Sequence, residues 1–364
     1  MTEDIKQTVI NKFVETADEK RLFTSNTPLL IMVSGGSDSV ALAYITAHLI
    51  KSEQIENVCA LHVNHKIRGE EAETDQLFVK ILCDFLKIPL FEAEIDIPKI
   101  IKETGENLEA CARRERYVCA NEALSSFCQH LGVPFGAGRI VTAHTLDDRV
   151  ENFYMRSIVG TGPGGFRSMR FKSKNVIRPL LRITKQELKD YLISLERQDK
   201  TFNPDGNIWR EDITNKDTRA FRAFVRNELV PKIQARNPKH HINLETSMEL
   251  IADEDDMLDE MARELLQKTT TLNIEDNIAK IDPCFAKSKL PLMRRAVFVL
   301  LNSMMPEDVR VENSSVNDVL KPFEGDKCHF EQVKNIQCNL IVSSNKNGVI
   351  IQPCELYRRK QKKI

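Results

Sequence analysis

Short apolar runs alternate along the first half of the chain with segments whose apolar residues recur at helical spacing. The runs lie at residues 29–33, 58–63, 90–94 and 140–143, and the helical segments lie near 40–50, 74–87, 107–131 and 147–159. A short continuous apolar run is typical of a strand buried on both faces, and apolar residues three and four apart are typical of a helix. Strand and helix in this rhythm predict an α/β fold with a doubly wound parallel sheet.

The first strand is joined to the next helix by a polar stretch, SGGSDS, at residues 34–39. A tight loop that opens a helix presents free backbone N–H groups and the positive end of the helix dipole, so it can bind an anion. Gly35 and Gly36 would let a phosphate approach the backbone. The alternative is an ordinary connection in which Ser37 or Asp38 caps the helix. No lysine follows a glycine here as in a Walker A loop, so any phosphate is held without that lysine.

Polar residues also follow the second predicted strand, at the edge where parallel sheets bind ligands. The stretch LHVNHKIRG places His62, Asn64, His65 and Arg68 there. A histidine at a strand end is more often a hydrogen-bonded structural residue, so these residues alone define no site.

The stretch TAHTLDDRVEN follows the fourth predicted strand and carries His144, Asp147, Asp148 and Glu151. Residues three and four apart on a helix share a face, so the carboxylates of Asp148 and Glu151, or of Asp147 and Glu151, are neighbours. The alternative is that the acids only stabilise the first turn of the helix, by about 0.3–1 kcal/mol each.

The stretch VGTGPGGF formally contains the G-x-G-x-x-G pattern of a dinucleotide site. We reject that interpretation because the preceding DDRVENFYMRSIV is helical and Pro163 interrupts the turn. We expect instead a flexible or tightly packed active-site loop.

Composition narrows the class of protein. The chain has 52 basic and 53 acidic residues and a net charge of −1, so contact with a nucleic acid would need a local patch. Nine cysteines without a C-x-x-C pair indicate a reduced, cytoplasmic chain. The acidic N-terminus does not fit a signal peptide and no apolar run reaches membrane-spanning length, so we expect no membrane partner.

A chain of 364 residues is longer than one typical domain. We predict a catalytic domain at residues 1–230, a smaller, mainly helical domain at 231–325 and a short terminal piece at 326–364. Helices are expected at 244–266, 290–304 and 316–323, and short strands at 339–342 and 349–351. The basic tail YRRKQKKI is either a disordered solubilising end or a contact to an RNA backbone.

The stretch SGGSDS resembles the SGGxDS signature of the PP-loop ATP pyrophosphatases, which cleave ATP between its α- and β-phosphates. Further stretches, in the same order along the chain, resemble one branch of these enzymes, the tRNA(Ile)-lysidine synthetases. They are HVNHKIRG, NLEACARRERY, TAHTLDDRVENF, the loop at 160–165, RPLLRITKQEL, EDITN at 211–215 and FVRNELVP at 224–231. The resemblance covers roughly the first 230 residues.

The chain departs from the family pattern at three places. Thr145 stands where a second histidine is usual, Arg149 where glutamine is usual, and EDITN has Ile-Thr where Pro-Ser is common. None of these changes touches the carboxylates. Longer members of the family carry an extra C-terminal domain, so the chain resembles a short form.

The resemblance implies a fold like that of the adenine nucleotide α-hydrolases and a two-step ligation on the wobble cytidine of the isoleucine tRNA with anticodon CAU. The cytosine C2 oxygen attacks the ATP α-phosphate and releases pyrophosphate. Free L-lysine then attacks C2 and expels AMP, giving lysidine, which pairs with A. The tRNA thereby changes its codon from AUG to AUA and its amino acid from methionine to isoleucine.

The resemblance also implies roles for individual residues. ATP would be held by Ser34, Gly35, Gly36, Ser37, Asp38, Ser39, His62 and Asn64. The catalytic residues would be Asp38, Arg116, His144, Asp148, Glu151 and Arg226. Asp38 would bind Mg²⁺ for the pyrophosphate leaving group.

Asp148 and Glu151 are the candidates to bind and deprotonate lysine, and Arg116 and Arg226 the candidates to neutralise charge on the α-phosphate. The domain at 231–325 would contact the tRNA. A homodimer is kept open as the oligomeric state.

Two other classes of protein stay open. A tRNA thiolase with the same fold would transfer sulfur, but that chemistry needs paired cysteines, and no C-x-x-C pair exists here. A non-catalytic nucleotide- or RNA-binding module would have no need of Asp38, Asp148, Glu151 and Arg226 together. A pyrophosphate-release assay separates the last case from an enzyme.

Overall fold

A computed structural model describes residues 2–67, 69–195, 208–210, 221–306, 309–324 and 332–361. The chain forms two compact units, Met1–Glu249 and Leu250–Ile364. Within the described part of the chain, no helix combines the length and the apolar character that crossing a membrane requires.

The division between the units falls inside one long helix, His240–Thr269, whereas the sequence pattern predicted a domain boundary at residue 230. Met248, near the start of this helix, is buried with Leu146 and Val150 of the first unit. The beginning of the helix therefore completes the core of the first unit. The chain beyond it forms one unit, where the sequence pattern separated 231–325 from 326–364.

The first unit contains a six-stranded sheet in the order β3-β2-β1-β4-β6-β5. All neighbours are parallel except β5, which pairs antiparallel with β6. The strands are β1 (Leu29–Met32), β2 (Val58–Asn64), β3 (Leu90–Glu94), β4 (Arg139–Val141), β5 (Lys172–Ser173) and β6 (Val176–Ile177). Leu30 pairs with Cys59 of β2 and Ile140 of β4, and all three side chains are fully buried. The four strands predicted from apolar runs are confirmed.

The helices of this unit pack on the two faces of the sheet and on one another. They are α1 (Thr2–Glu19), α2 (Ser37–Lys51), α3 (Glu70–Leu86), α4 (Ile97–Thr104), α5 (Leu108–His130), α6 (Leu146–Val159), α7 (Lys185–Leu195), α8 (Phe221–Phe224) and α9 (Val230–Arg236). Helices α1, α2, α3 and α7 pack in one apolar cluster, and α5 packs in another with Leu30, Leu61 and Ile140. The predicted doubly wound α/β fold is confirmed.

A π-helical turn, Val225–Leu229, joins α8 to α9. Pro231 lies in the first turn of α9. Because proline has no N–H and its ring clashes with the carbonyl four residues earlier, a regular α-helix cannot run through this position. The wider turn accommodates the proline, and it carries Arg226.

The second unit contains a five-stranded antiparallel sheet in the order β7-β8-β11-β10-β9. The strands are β7 (Thr270–Asn273), β8 (Ile278–Ile281), β9 (Gln332–Asn335), β10 (Leu340–Asn345) and β11 (Gly348–Pro353). The helices are α11 (Leu290–Met304), α12 (Asn313–Leu320) and α13 (Cys354–Gln361), and α10 (His240–Thr269) leads into the unit. Val297 and Leu301 of α11 are buried with Val342 and Ile351 of the sheet.

This unit has more strand than the sequence predicted. The expected helices at 290–304 and 316–323 and the short strands near 339–342 and 349–351 are present. The pair β7–β8 was not predicted. Three of the four residues of β7 are exposed and its one apolar residue, Leu272, stands between polar neighbours, so no apolar run marks the strand. The basic stretch from Tyr357 to Gln361 is helical, so the disordered alternative does not hold for this described part.

Candidate active site

The loop at residues 34–39 joins β1 to α2 at the carboxyl edge of the sheet. Gly35 has φ +92°, a backbone conformation that other L-residues rarely adopt. Gly36 is the N-cap of α2 and the cap has no side-chain hydrogen bond, so Ser37 and Asp38 are first-turn residues and neither caps the helix. The N–H groups of the first turn therefore point out of the helix toward any anion bound there.

Ser39 fixes the shape of this loop. Its hydroxyl accepts from the Ser34 N–H at 3.1 Å and donates to the Gly36 carbonyl at 2.9 Å. The Ser39 hydroxyl thus ties the two ends of the loop together.

A cleft of about 860 Å³ opens above this loop. It brings together residues from the ends of β1, β2 and β4 and from α5. The sequence-predicted residues that line it are Ser34, Gly36, Ser37, Asp38, Ser39, His62, Asn64, Arg116 and His144. Gly35 belongs to the loop but does not line the cleft. Arg68 and residues 211–215 lie outside the described residues.

His62 and Asn64 use polar atoms to hold the walls of the cleft. The His62 Nδ1–H donates to the Val33 carbonyl at 2.8 Å, and burial lowers the pKa of His62, so the ring is neutral. The Asn64 amide donates to Gln76 Oε1 and its oxygen accepts from the Lys66 N–H, both at 2.9 Å. Both side chains therefore order the strand ends beside the loop.

Arg116 brings a positive charge into the cleft. Its guanidinium donates to His65 Nε2, with Nη2 at 3.2 Å, and burial lowers its pKa without discharging it. Burial and the neighbouring guanidinium lower the pKa of His65 to about 4, so His65 is a neutral acceptor. Arg116 is consequently an exposed cation whose hydrogen-bond partner is neutral, which suits a phosphate ligand.

Asp38 is a half-buried carboxylate at the start of α2. Burial, opposed by Lys185 and reinforced by Asp148 and Asp147, raises the pKa of Asp38 to about 6. Its recorded hydrogen bond comes from the Ser37 hydroxyl at 3.1 Å. A hard cation with oxygen ligands, such as Mg²⁺, fits this carboxylate and the serine hydroxyls around it.

Asp148 and Glu151, the carboxylate pair, lie on the buried side of α6, with 7% and 4% of their surfaces exposed. Asp148 forms a capping box with Thr145, whose N–H donates to Asp148 Oδ2 at 2.8 Å. Asp147 instead accepts from the Lys185 N–H at 2.7 Å, so it caps α7 and is not a member of the pair.

Among the described residues, three cations contact the carboxylate pair. Arg222 bridges it, from Nε to Glu151 Oε2 and from Nη2 to Asp148 Oδ1, both at 2.9 Å. Arg226 holds Glu151 with Nε at 2.6 Å from Oε1 and Nη2 at 2.9 Å from Oε2. Lys185 Nζ lies 3.2 Å from Asp148 Oδ1 and 3.9 Å from Glu151 Oε1.

These contacts set the protonation of Asp148. Burial alone would raise its pKa, but Lys185, the Thr145 N–H and Arg222 outweigh that effect and hold the pKa at about 2. Asp148 is therefore always ionised near neutral pH, which favours binding of an ammonium group and disfavours proton abstraction.

Arg226 was predicted to face the α-phosphate, and the structure places it on Glu151. The reason is geometric, because the guanidinium fork matches a carboxylate on the facing helix. Arg222 and Lys185 were not singled out by the sequence. The spacing of Arg222 and Arg226, four residues apart on one helix, was a usable signal for Arg222.

His144 lines the cleft with the loop at residues 34–39 and also lies near Asp148 of the carboxylate pair. Its Nδ1 is hydrogen-bonded to Thr142 Oγ1 at 2.8 Å, and burial lowers its pKa to about 4. The ring is neutral near physiological pH.

The glycine-rich loop after α6 is a tight turn. A Cβ at Gly165 would stand 1.7 Å from Thr161 Oγ1, so the turn requires glycine at this position. A helix precedes the loop where a dinucleotide site needs a strand, which agrees with our rejection of that interpretation.

A fold of parallel strands whose first loop reads SGGSDS defines a class of nucleotide-binding protein, and the chain belongs to it: residues 2–233 match the PP-loop domain family. Within that class, the chain is similar to curated tRNA(Ile)-lysidine synthases. It is 28% identical to that of Bacillus cereus over 317 residues, which covers 86% of this chain and 63% of the relative. It is 35% identical to that of Thermus thermophilus over 235 residues, which covers 65% of this chain and 41% of the relative.

A third relative, from Clostridium acetobutylicum, is 27% identical and is matched over 94% of this chain and 76% of its own length. The chain thus spans 63% of the length of the Bacillus relatives it matches. Among solved structures, it is similar to a U34-tRNA thiolase from Methanococcus maripaludis that carries a [4Fe-4S] cluster. That likeness has a TM-score of 0.50 at 18% identity and covers 70% of this chain and 80% of the other, so it shows the fold alone.

Proposed function

We propose that the chain ligates free L-lysine to C2 of the wobble cytidine of the isoleucine tRNA with anticodon CAU, at the expense of ATP. One observation carries the proposal. A phosphate-binding loop with a half-buried carboxylate, Asp38, lies near the buried pair Asp148 and Glu151, because all three carboxylates act electrostatically on Arg226. ATP activation and amine binding would thus have adjoining sites, as a two-step ligation requires. The similarity to curated tRNA(Ile)-lysidine synthases supports this assignment.

In the first step, the C2 oxygen of cytosine forms a bond to the α-phosphorus of ATP and pyrophosphate leaves. The first-turn N–H groups of α2 would bind the phosphates, and Arg116 would stabilise the charge that develops on them. Mg²⁺ held by Asp38 and neighbouring serine oxygens would neutralise pyrophosphate when bound.

In the second step, the ε-amine of lysine forms a bond to C2, and AMP leaves with the former C2 oxygen. The lysine ammonium must be bound and must lose a proton before it can attack, because its ordinary pKa is near 10.4. Asp148 would supply the negative charge that binds it, since this carboxylate stays ionised. Glu151 would complete the binding site and is our candidate for the proton acceptor.

The tRNA must present an unpaired cytosine to the cleft. Anticodon-loop bases can be splayed out of the stack, and proteins hold such bases with arginine and aromatic side chains. Phe221 and Phe224, on either side of Arg222, are 38% and 39% exposed and would offer apolar surface beside the carboxylate pair. We propose that the second unit, with the basic helix α13, contacts the tRNA backbone.

The test is incorporation of labelled lysine into two tRNA(Ile) transcripts that differ only at the wobble base. With ATP and Mg²⁺, we expect labelling of the transcript with C at this position and none of the transcript with U. An ATP analogue with a methylene group between the α- and β-phosphorus atoms serves as the matched control and should give no labelling. Equal labelling of both transcripts would show that this cytosine is not the acceptor.

The cysteines do not favour sulfur transfer. Cys59 and Cys128 are buried in one apolar cluster, Cys83 and Cys111 are buried in two others, and Cys284 and Cys338 are exposed. Across the described residues, one group of side chains has three potential metal-ligand atoms within 4.8 Å of one another. It consists of Asp255, Asp256 and Asp259 and contains no cysteine. A homodimer and a cytoplasmic location stay predictions.

A further inference from the structure

The ammonium group of Lys185 lies at the carboxylate pair, where the proposed function requires the ammonium group of the lysine substrate to bind. Its Nζ is 3.2 Å from Asp148 Oδ1 and 3.9 Å from Glu151 Oε1. A lysine side chain and the lysine substrate carry the same head group on the same four-carbon stem. The carboxylate pair is therefore engaged by an internal competitor of its own substrate.

Lys185 is the cation at this pair that can leave most easily. Arg226 holds Glu151 through two hydrogen bonds and Arg222 bridges both acids, whereas Lys185 makes a single hydrogen bond, to Asp148. Its backbone is fixed at the start of α7, because its N–H donates to Asp147 Oδ2 at 2.7 Å. The stem is flexible and its side chain is 27% exposed, so the head group can move while the backbone stays in place.

The phosphate-binding loop provides a destination for this head group. Lys185 acts electrostatically on Asp38 of the loop as well as on Asp148 of the pair, and Lys189, one turn later on α7, lines the cleft together with Asp38. The ammonium group of Lys185 thus contacts the pair and lies within electrostatic reach of the loop. The phosphates of a bound nucleotide add several negative charges to the loop and shift the balance toward it.

We propose that Lys185 makes the binding of free lysine depend on nucleotide: without nucleotide its ammonium occupies the carboxylate pair, and nucleotide phosphates draw it away. The inference rests on the proposed function, because it takes Asp148 and Glu151 as the lysine site. It adds an order of binding, with the nucleotide before lysine, and it assigns a residue that controls this order.

The test is calorimetric titration of L-lysine into the full chain, with and without the methylene-bridged ATP analogue and Mg²⁺. We expect lysine to bind about tenfold more tightly, or better, when the analogue is present. Binding linkage requires that lysine tighten binding of the analogue by the same factor. In Lys185→Gln, lysine should bind without the analogue, and the coupling factor should fall to about one.

Lys12→Gln is the matched control, since Lys12 of α1 forms an ion pair with Glu187 of α7 instead of with the carboxylate pair. It should keep the full coupling factor. Thermal melts establish that each variant is folded, and Lys185→Met, which keeps the stem, replaces Lys185→Gln if the latter is not.

Equal lysine affinity with and without the analogue in the unaltered chain would overturn the inference. Full coupling retained in the folded Lys185 variant would do the same. If lysine binds under none of these conditions, the proposed function fails and the inference fails with it.

Discussion

Replacing Glu151 by Gln removes one charge from the carboxylate pair while keeping the shape of the side chain. Glu151 accepts three hydrogen bonds, one from Arg222 at 2.9 Å and two from Arg226 at 2.6 and 2.9 Å. A carboxamide keeps one oxygen, but its NH₂ group would face guanidinium donors. At least one of the three hydrogen bonds is therefore lost.

The structure bounds the cost to stability. A hydrogen bond to a charged group contributes about 1.5–3 kcal/mol. Arg222 and Arg226 are 42% and 31% exposed, so water compensates for part of the loss. We expect the free energy of unfolding to fall by about 1–2 kcal/mol. This corresponds to a melting temperature lower by about 2–8 °C for a unit of this size.

The kinetic effect should be confined to the second step. In the proposed first step, Glu151 takes no part when the C2 oxygen attacks ATP, so pyrophosphate release should stay within about twofold of the unaltered chain. Transfer of lysine should slow by about 10²–10⁴-fold, because the ammonium is less well bound and deprotonated. Adenylated tRNA should then accumulate.

A single-turnover experiment measures both steps. Labelled ATP and the tRNA are mixed without lysine, pyrophosphate release is followed, and excess lysine is then added. Glu187→Gln is the matched control, because Glu187 accepts from Lys12 and Thr184 away from the cleft and should leave both rates unchanged. Loss of pyrophosphate release in Glu151→Gln at unchanged ATP affinity would place Glu151 in the first step and refute the assignment.

Three further predictions concern the loop and the histidine. Asp38→Ala should abolish pyrophosphate release yet change stability by no more than about 1 kcal/mol, since its recorded hydrogen bond comes from the Ser37 hydroxyl; a thermal melt and the release assay check this, and normal release would contradict it. Gly35→Ala should lower stability by about 1–3 kcal/mol and weaken nucleotide binding because of its φ of +92°, whereas Gly136→Ala, where a Cβ meets nothing within 4 Å, should do neither in the same melts and titrations. The folded chain protonates His144 only near pH 4 and the unfolded chain near 6.5, so protons favour the unfolded state and stability falls as the pH drops from 6.5 to 4. Urea titrations should show a loss about 1–3 kcal/mol smaller in His144→Asn, and an equal loss would count against a buried neutral ring.

Much of the fold could be predicted because the central strands β1, β2 and β4 of the first unit are largely buried on both faces. Runs such as that around Leu30 and Ile31 carry no polar residue, and a helical pattern follows each one. In the second unit, β7 faces solvent, and a short exposed strand leaves no periodic signal. Its existence depends on pairing with β8 rather than on its own sequence.

The candidate site could be predicted where its chemistry is local in sequence. SGGSDS and the spacing of Asp148 and Glu151 are visible within a few residues. The cations on the pair are not, because Lys185 and Arg222 stand 37 and 74 positions from Asp148. The tertiary fold determines which of the many lysine and arginine side chains contacts a buried carboxylate.

An oxygen label gives the most direct test of the proposed reaction. A tRNA(Ile) transcript carrying ¹⁸O at C2 of the wobble cytosine is converted with ATP and lysine, and the released AMP is analysed by mass spectrometry. If the C2 oxygen attacks the α-phosphate and leaves with AMP, each AMP formed with the product carries one ¹⁸O. If the enzyme instead activates the carboxylate of lysine, AMP contains no label and the ¹⁸O stays in the tRNA, which would contradict the account.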